Sequence, residues 1–223
     1  MNHSGVRTNG KSIATLLAAW LLVILAVAYI GVFGGDSRYS MDVPIPLGVA
    51  ALLPIVLYIL WFRLSTAFRG FVLALNPAVV TAIHTWRIGG IVFLILLAKK
   101  MLPPSFAYPA GLGDMAIGIT APLVAIAISR KKISPRLQFV WQLAGAADLI
   151  IAIAAGVLSS DSKLGILAHG TSTRLMGLLP LCLIPTFIVP LLLILHLISM
   201  ARIRQDRLQK NGPAQPHRTP LSV

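Results

Sequence analysis

The sequence contains no glutamate, and its six acidic residues are all aspartates. Charged residues of both signs make up only 11% of the chain, whereas hydrophobic residues make up 57% and the mean hydropathy is +0.86. A soluble domain of 223 residues could not remove so much apolar surface from water. The composition therefore excludes an ordinary soluble protein, and we expect lipid to be the main solvent of the chain.

Cysteine is almost absent as well. The single cysteine, Cys182, excludes an intramolecular disulfide, a cysteine-based metal cluster and a CxxC redox pair. The sequence also lacks a Walker loop, a glycine-framed nucleophile elbow and a recognisable metal-ligand spacing. These absences indicate no enzyme class, so a non-enzyme is favoured and no metal site is predicted.

Because acids are scarce, 19 lysines and arginines give the chain a formal net charge of +13. Such a balance often indicates nucleic-acid binding. Here the basic residues lie in short loops and a tail that flank apolar runs, where they would orient the chain in a bilayer and meet anionic lipid headgroups. We therefore expect the lipid bilayer as a partner and no nucleic acid.

Six apolar runs are long enough to cross a bilayer core, which takes about 20 helical residues. We number them spans one to six, and they cover residues 13–33, 44–62, 78–98, 109–129, 137–158 and 177–199. The sequence thus predicts an all-α polytopic membrane protein with a transmembrane domain over residues 13–200. Residues 1–12 would form a cytoplasmic tail, and residues 201–223 a basic cytoplasmic tail that we expect to be disordered.

The positions of lysine and arginine predict that both ends of the chain lie in the cytoplasm. With the N-terminus inside, the cytoplasmic segments would hold thirteen cations: Arg7, Lys11, Arg63, Arg69, Arg130, Lys131, Lys132, Arg136, Arg202, Arg204, Arg207, Lys210 and Arg218. The external segments would hold five cations and three aspartates: Arg38, Lys99, Lys100, Lys163, Arg174, Asp36, Asp42 and Asp161. This bias follows the positive-inside rule.

Three segments depart from a simple spanning helix. Span one also matches a cleavable signal peptide, but its apolar run reaches full spanning length, which favours a retained helix. Residues 71–77 would form either an interfacial helix or a kinked extension of span three. Span six contains Pro180, Pro185 and Pro190, each of which removes a backbone donor, so we expect a broken or curved helix there.

Charged side chains inside spans are rare, and by default they indicate function. The chain has three of them: Arg87 in span three, Asp114 in span four and Asp148 in span five. At about 1.5 Å per helical residue, Arg87 and Asp148 fall near the middle of the bilayer, and Asp114 falls in its outer half. The sequence therefore predicts a polar cluster of these three residues.

Small residues accompany both aspartates. They stand three positions before and four positions after each acid: Gly111, Gly118, Gly145 and Ala152. Residues at these spacings share the helix face of the acid and allow a neighbouring helix to approach closely. Because spans four and five run in opposite directions, the pattern would be a short inverted repeat of the kind found in transporters.

The cluster has two interpretations. In the first, Arg87 and Asp148 form an ion pair that fixes helix packing and does nothing else. In the second, one arginine cannot neutralise two aspartates, so the remaining acid holds a proton, because burial disfavours its charged form, or meets a cation or polar substrate. Asp114, nearer to the outside, is the candidate for that exchangeable position.

Two histidines suggest a different chemistry. His84 in span three and His196 in span six both lie in the cytoplasmic half of their helices, so they could ligate a b-type haem, with Arg69 or Lys131 near its propionates. Each histidine also has a simpler interpretation. His196 would lie at the interface near a helix C-terminus, and His84 would hydrogen-bond within the bundle beside Arg87.

Four stretches resemble a family of small bacterial six-helix inner-membrane proteins that has no established activity. They are residues 86–90 (WRIGG), 102–114 (LPPSFAYPAGLGD), 118–122 (GITAP) and 180–196, the last with LIPTFIVPL at its centre. The resemblance covers spans three to six. It implies a multi-pass protein of the bacterial inner membrane and no particular mechanism.

The sequence leaves three functions open. The favoured one is binding or transport of a small molecule or ion, with proton linkage at Arg87, Asp114 and Asp148. The second is a b-type haem protein for electron transfer or sensing, with His84 and His196 as ligands. The third is a structural or assembly subunit of the membrane, in which the buried charges serve only packing.

Overall fold

A computed structural model describes residues 3–34 and 45–211, and those residues form helices and turns with no strand among them. The α-helices in chain order are α1 His3–Tyr29, α2 Ile45–Leu64, α3 Thr66–Leu73, α4 Pro77–Ile83, α5 Ile91–Ala98, α6 Pro104–Ser129, α7 Pro135–Leu158 and α8 Val189–Asn211. Two 3₁₀ segments, His84–Gly90 and Arg174–Gly177, and a π-helical segment, Ile184–Ile188, complete the helical segments of the described residues. The all-α prediction is confirmed.

Within residues 3–34 and 45–211, six helical stretches are long and apolar enough to cross a membrane, as the hydropathy predicted. They are Lys11–Tyr29, Ile45–Leu64, Pro77–Ala98, Pro104–Ser129, Pro135–Leu158 and Ile184–Gln209. Large apolar side chains such as Leu22, Leu52, Leu123 and Ile151 are more than half exposed on the outer helix faces. Such faces suit contact with lipid tails.

The predicted bounds of span six are wrong. The helix begins at Ile184 instead of residue 177, and it continues past residue 200 to Asn211. Hydropathy placed its end where arginines appear, but arginine is a good helix former, so the helix extends through that polar stretch. The disorder expected for residues 201–223 is therefore wrong for residues 201–211, which are helical. Asp36, Arg38, Asp42, Arg218 and residues 212–223 lie outside the described residues.

The starts of three helices follow from local sequence. Ser65, Asn76 and Ser134 each accept a hydrogen bond from a backbone N–H of the first helical turn, which caps α3, α4 and α7. Proline at the first position strengthens the starts of α4 and α7, because that position needs no N–H. The Asn76 cap separates α3 from α4, so residues 71–77 are not a kinked extension of span three.

Span three is irregular in its centre. Between α4 and α5, the chain tightens into the 3₁₀ segment His84–Gly90, in which His84, Arg87 and Gly90 are buried. A 3₁₀-helix has three residues per turn, so side chains three apart stand directly above one another. The 3₁₀ geometry therefore aligns His84 and Arg87 along one buried line.

Span six is irregular at its start, as its prolines predicted. Pro180 precedes the helix, after a cis Leu179–Pro180 bond. The N–H of Val189 bonds to the carbonyl of Ile184, which is the wider spacing of a π-helix, and Pro190 lacks the N–H that an α-helix would need next. The broken helix is therefore a π turn that leads into α8.

Helix α6 packs against the 3₁₀ segment at very short range. A Cβ added to Gly118 would meet the backbone nitrogen of Ile88, and a Cβ added to Gly90 would meet the Cβ of Asp114. Small residues thus bring the two backbones together, which is the role that the spacing around Asp114 predicted. Because the backbones approach so closely, Asp114 lies within hydrogen-bonding distance of Arg87.

We expect Gly118→Ala to destabilise the protein by about 1–3 kcal/mol, because backbone atoms cannot move aside as a flexible side chain would. Gly89→Ala is the matched control, since a Cβ at Gly89 would meet no atom of another described segment within 4 Å. Thermal unfolding in detergent measures both. Equal melting temperatures for the two variants would contradict the close contact.

Candidate functional site

The guanidinium group of Arg87 is the centre of the site. Arg87 is only 3% exposed. Its Nε donates to Oδ1 of Asp114 at 2.6 Å, and its Nη2 donates to Oδ2 of Asp148. Its Nη1 donates to the backbone carbonyl of Gly145 at 3.0 Å. The structure therefore brings together the three charged residues that the sequence singled out, with one cation between two carboxylates.

The two carboxylates reach Arg87 because glycines lie beside them. A Cβ at Gly113 of α6 would meet Oδ1 of Asp148, and a Cβ at Gly90 would meet Asp114. The side chains of Asp114 and Asp148 keep 15% and 18% of their surface exposed, whereas the arginine side chain keeps none. The acids are therefore the accessible part of the cluster.

A second set of hydrogen bonds connects Arg87 to His196, Gln142 and Thr81. Nε2 of His196 lies 3.3 Å from Nη1 of Arg87, and Nδ1 of His196 lies 2.6 Å from Oε1 of Gln142. Nε2 of Gln142 donates to Oγ1 of Thr81 at 3.2 Å. Arginine can only donate, so Nε2 of His196 accepts and its Nδ1–H donates to Gln142. The imidazole is thereby fixed in one neutral tautomer.

Gln142 and Thr81 are members of the network that sequence analysis missed. Both are fully buried. The spacing held a signal, because Thr81, His84 and Arg87 recur at intervals of three and Gln142 stands three residues before Gly145. Uncharged polar residues are common enough in spans that this spacing alone did not distinguish them.

The two histidines are brought together by stacking. The rings of His84 and His196 lie 3.8 Å apart between centroids at an angle of 18°, and Trp141 approaches both at 5.9 Å. Neither nitrogen of His84 has a hydrogen-bond partner among the described residues, so its predicted hydrogen bond within the bundle is wrong. His196 is fully buried within α8, so the interfacial position near a helix end is wrong too.

This arrangement does not fit a haem held by the two histidines. Bis-histidine ligation places a porphyrin between the rings, with one nitrogen of each pointing at the iron. Here the rings stack face to face with no space for a macrocycle, and both nitrogens of His196 are engaged by Arg87 and Gln142. Across the part of the chain that the structure describes, no three His, Cys, Asp or Glu side chains group as metal ligands.

A cavity of about 300 Å³ reaches the cluster from one end of the bundle. Its lining on α6 consists of Phe106, Ala110 and Asp114, which are spaced by four and follow one helix face inwards. Asp114 lies about 15 Å along the helix axis from Pro104. Its carboxylate is therefore the innermost α6 group of the cavity, while Asp161 and Arg174 line it from the loop after α7.

Six apolar helices around a buried polar cluster define an integral, multi-pass membrane protein. Within that class, residues 44–204 match the family described as Domain of unknown function (DUF8737), and the chain belongs to that family. The match includes every residue of the network from Thr81 to His196. No curated protein and no solved structure matches the chain.

We expect Gln142→Leu to destabilise the protein more than His84→Leu. The first change leaves the Nδ1–H of His196 buried without an acceptor, which costs about 1–3 kcal/mol, whereas His84 has no hydrogen bond to lose. Both residues are fully buried and receive the same new side chain. Thermal unfolding compares them, and an equal loss in both would contradict the network.

Proposed function

We propose that the chain binds, and in the membrane transports, a small molecule or ion whose binding is linked to a proton at Asp114. The membrane is a bacterial inner membrane, with both ends of the chain in the cytoplasm. The observation that carries the proposal is the cavity that ends on Asp114, a carboxylate shared with a buried arginine. Apolar walls around a few convergent polar groups are typical of ligand sites.

The orientation rests on charge. Basic residues concentrate at the end of the bundle where α2 and α6 finish, α7 begins and α8 finishes: Arg63, Arg130, Lys131, Lys132, Arg136, Arg202, Arg204 and Arg207. The positive-inside rule places this end in the cytoplasm. The cavity lies at the other end and therefore opens to the outside.

The proton linkage rests on the charge balance of the cluster. Arg87 supplies one positive charge, and Asp114 and Asp148 supply two negative charges when both are ionised. The neutral imidazole of His196 adds no charge. A net negative charge inside the bundle is unfavourable, so a proton or a cationic ligand neutralises it. Asp161 and Arg174 are the other charged side chains of the described cavity wall, and they lie farther out.

A structural role is the second candidate, because the network also ties the helices together. Arg87 of the 3₁₀ segment contacts α6 through Asp114, α7 through Asp148 and α8 through His196. A buried pair that serves only packing can be exchanged for apolar residues at little cost. Replacement of the pair therefore separates the two candidates.

We expect Asp114→Asn to abolish the pH dependence of ligand binding. Proton and cation compete for the same carboxylate, so the affinity of the wild-type protein should rise with pH, by up to about tenfold per unit. Binding of inorganic cations, amines and neutral solutes is measured by calorimetry across pH. Asp206→Asn, whose side chain is half exposed near the end of α8, is the control. Unaltered pH dependence in Asp114→Asn would refute its role.

We expect the double variant Arg87→Met/Asp148→Leu to fold with Asp114 protonated and to bind cations much more weakly at neutral pH, because no arginine is left to favour the ionised carboxylate. The single variant Arg87→Met should be destabilised by about 3–5 kcal/mol, since it leaves buried carboxylates without their partner. Thermal unfolding and the same binding assay report on both variants. A double variant that binds like the wild-type protein would favour the structural role.

A further inference from the structure

The walls of the cavity are apolar over most of its depth. Leu149, Ile153 and Val189 line it from α7 and α8, and Phe93 and Phe106 line it from α5 and α6. The two phenylalanine rings meet edge to face, with centroids 5.3 Å apart. A ligand that fills this space must present a hydrocarbon surface, because the walls offer few hydrogen bonds.

The inner end of the cavity carries a negative charge whenever both Asp114 and Asp148 are ionised. Asp114 shares its Oδ1 with Arg87, but the same arginine is also neutralised by Asp148. An anion at this point would lie against the Asp114 carboxylate, whereas a cation would neutralise it.

A bare metal ion fits this site poorly. Hard cations take six or more oxygen ligands, and the α6 lining of the cavity offers one side chain with oxygen, Asp114, beside Phe106 and Ala110. A volume of about 300 Å³ is many times the roughly 10–15 Å³ of cavity that one water molecule needs. The space therefore suits a compact organic molecule.

We infer that the ligand is a small organic cation, an amine or quaternary ammonium with an apolar body, whose charged head lies against Asp114 and whose body fills the cavity towards the outside. The inference rests on the proposed function, because it names the substrate class of that site. It specifies that the charged head of the ligand lies deepest in the cavity. It also specifies that Asp114 distinguishes a cation from a neutral molecule of the same shape.

Benzyltrimethylammonium tests the inference, because its charge is permanent and replacement of its nitrogen by carbon gives a neutral isostere, neopentylbenzene. We expect the wild-type protein to bind the cation, and Asp114→Asn to weaken that binding at least about tenfold. The neutral isostere should bind both proteins equally weakly. The inference is overturned if the isostere binds the wild-type protein as tightly as the cation, if Asp114→Asn binds the cation unchanged, or if sodium ions compete with it at similar concentration.

A second pair of variants tests the cavity without touching the charge. Ala152 lines the cavity, whereas Ala147 on the same helix is exposed. Ala152→Leu should weaken binding of benzyltrimethylammonium at least about tenfold by filling the space, and Ala147→Leu should leave it unchanged. Equal affinities in these two variants would overturn the placement of the apolar body.

Proton release on binding, followed with a pH dye in weak buffer, separates this inference from the proposed function. If the cation binds at Asp114 and no proton is released, the substrate class stands and the proton linkage fails. If other ligands show Asp114-dependent proton linkage while benzyltrimethylammonium does not bind, the substrate class fails and the proton linkage stands.

Discussion

A guanidinium group buried in a lipid-embedded bundle must be paired, and the interior of this protein is arranged around that requirement. Arginine remains charged under all ordinary conditions, so Arg87 cannot escape the cost of burial by losing its proton. Two carboxylates, a carbonyl and an imidazole meet it instead. Because of the 3₁₀ segment and the close-packed glycines, residues of α6, α7 and α8 all reach the side chain of Arg87.

Arg87 also divides the bundle into two unlike halves. On one side lies the cavity, whose walls are apolar and whose inner end is Asp114. On the other side, His196, Gln142 and Thr81 are fully buried and joined by hydrogen bonds. The cavity thus reaches the cluster from one side only, and Arg87 contacts both Asp114 on the cavity side and His196 on the packed side.

Much of this fold could be predicted from sequence, because membrane-spanning length and apolarity are properties of single segments. The three charged residues could also be predicted as a cluster, since charge in lipid is rare. The stacking of His84 on His196, the bonds of Gln142 and the start of span six could not. They depend on how helices rotate against one another and on a π turn near Pro185, and neither is encoded in hydropathy.

The central claim is that one arginine between two aspartates leaves a proton to be exchanged at Asp114. Infrared spectroscopy detects it most directly, because a protonated carboxyl group has a carbonyl band that a carboxylate lacks. The account predicts a band that disappears reversibly as the pH of the ligand-free protein is raised and that is missing in Asp114→Asn. A band that persists in Asp114→Asn, or no such band at any pH at which the protein is folded, would contradict it.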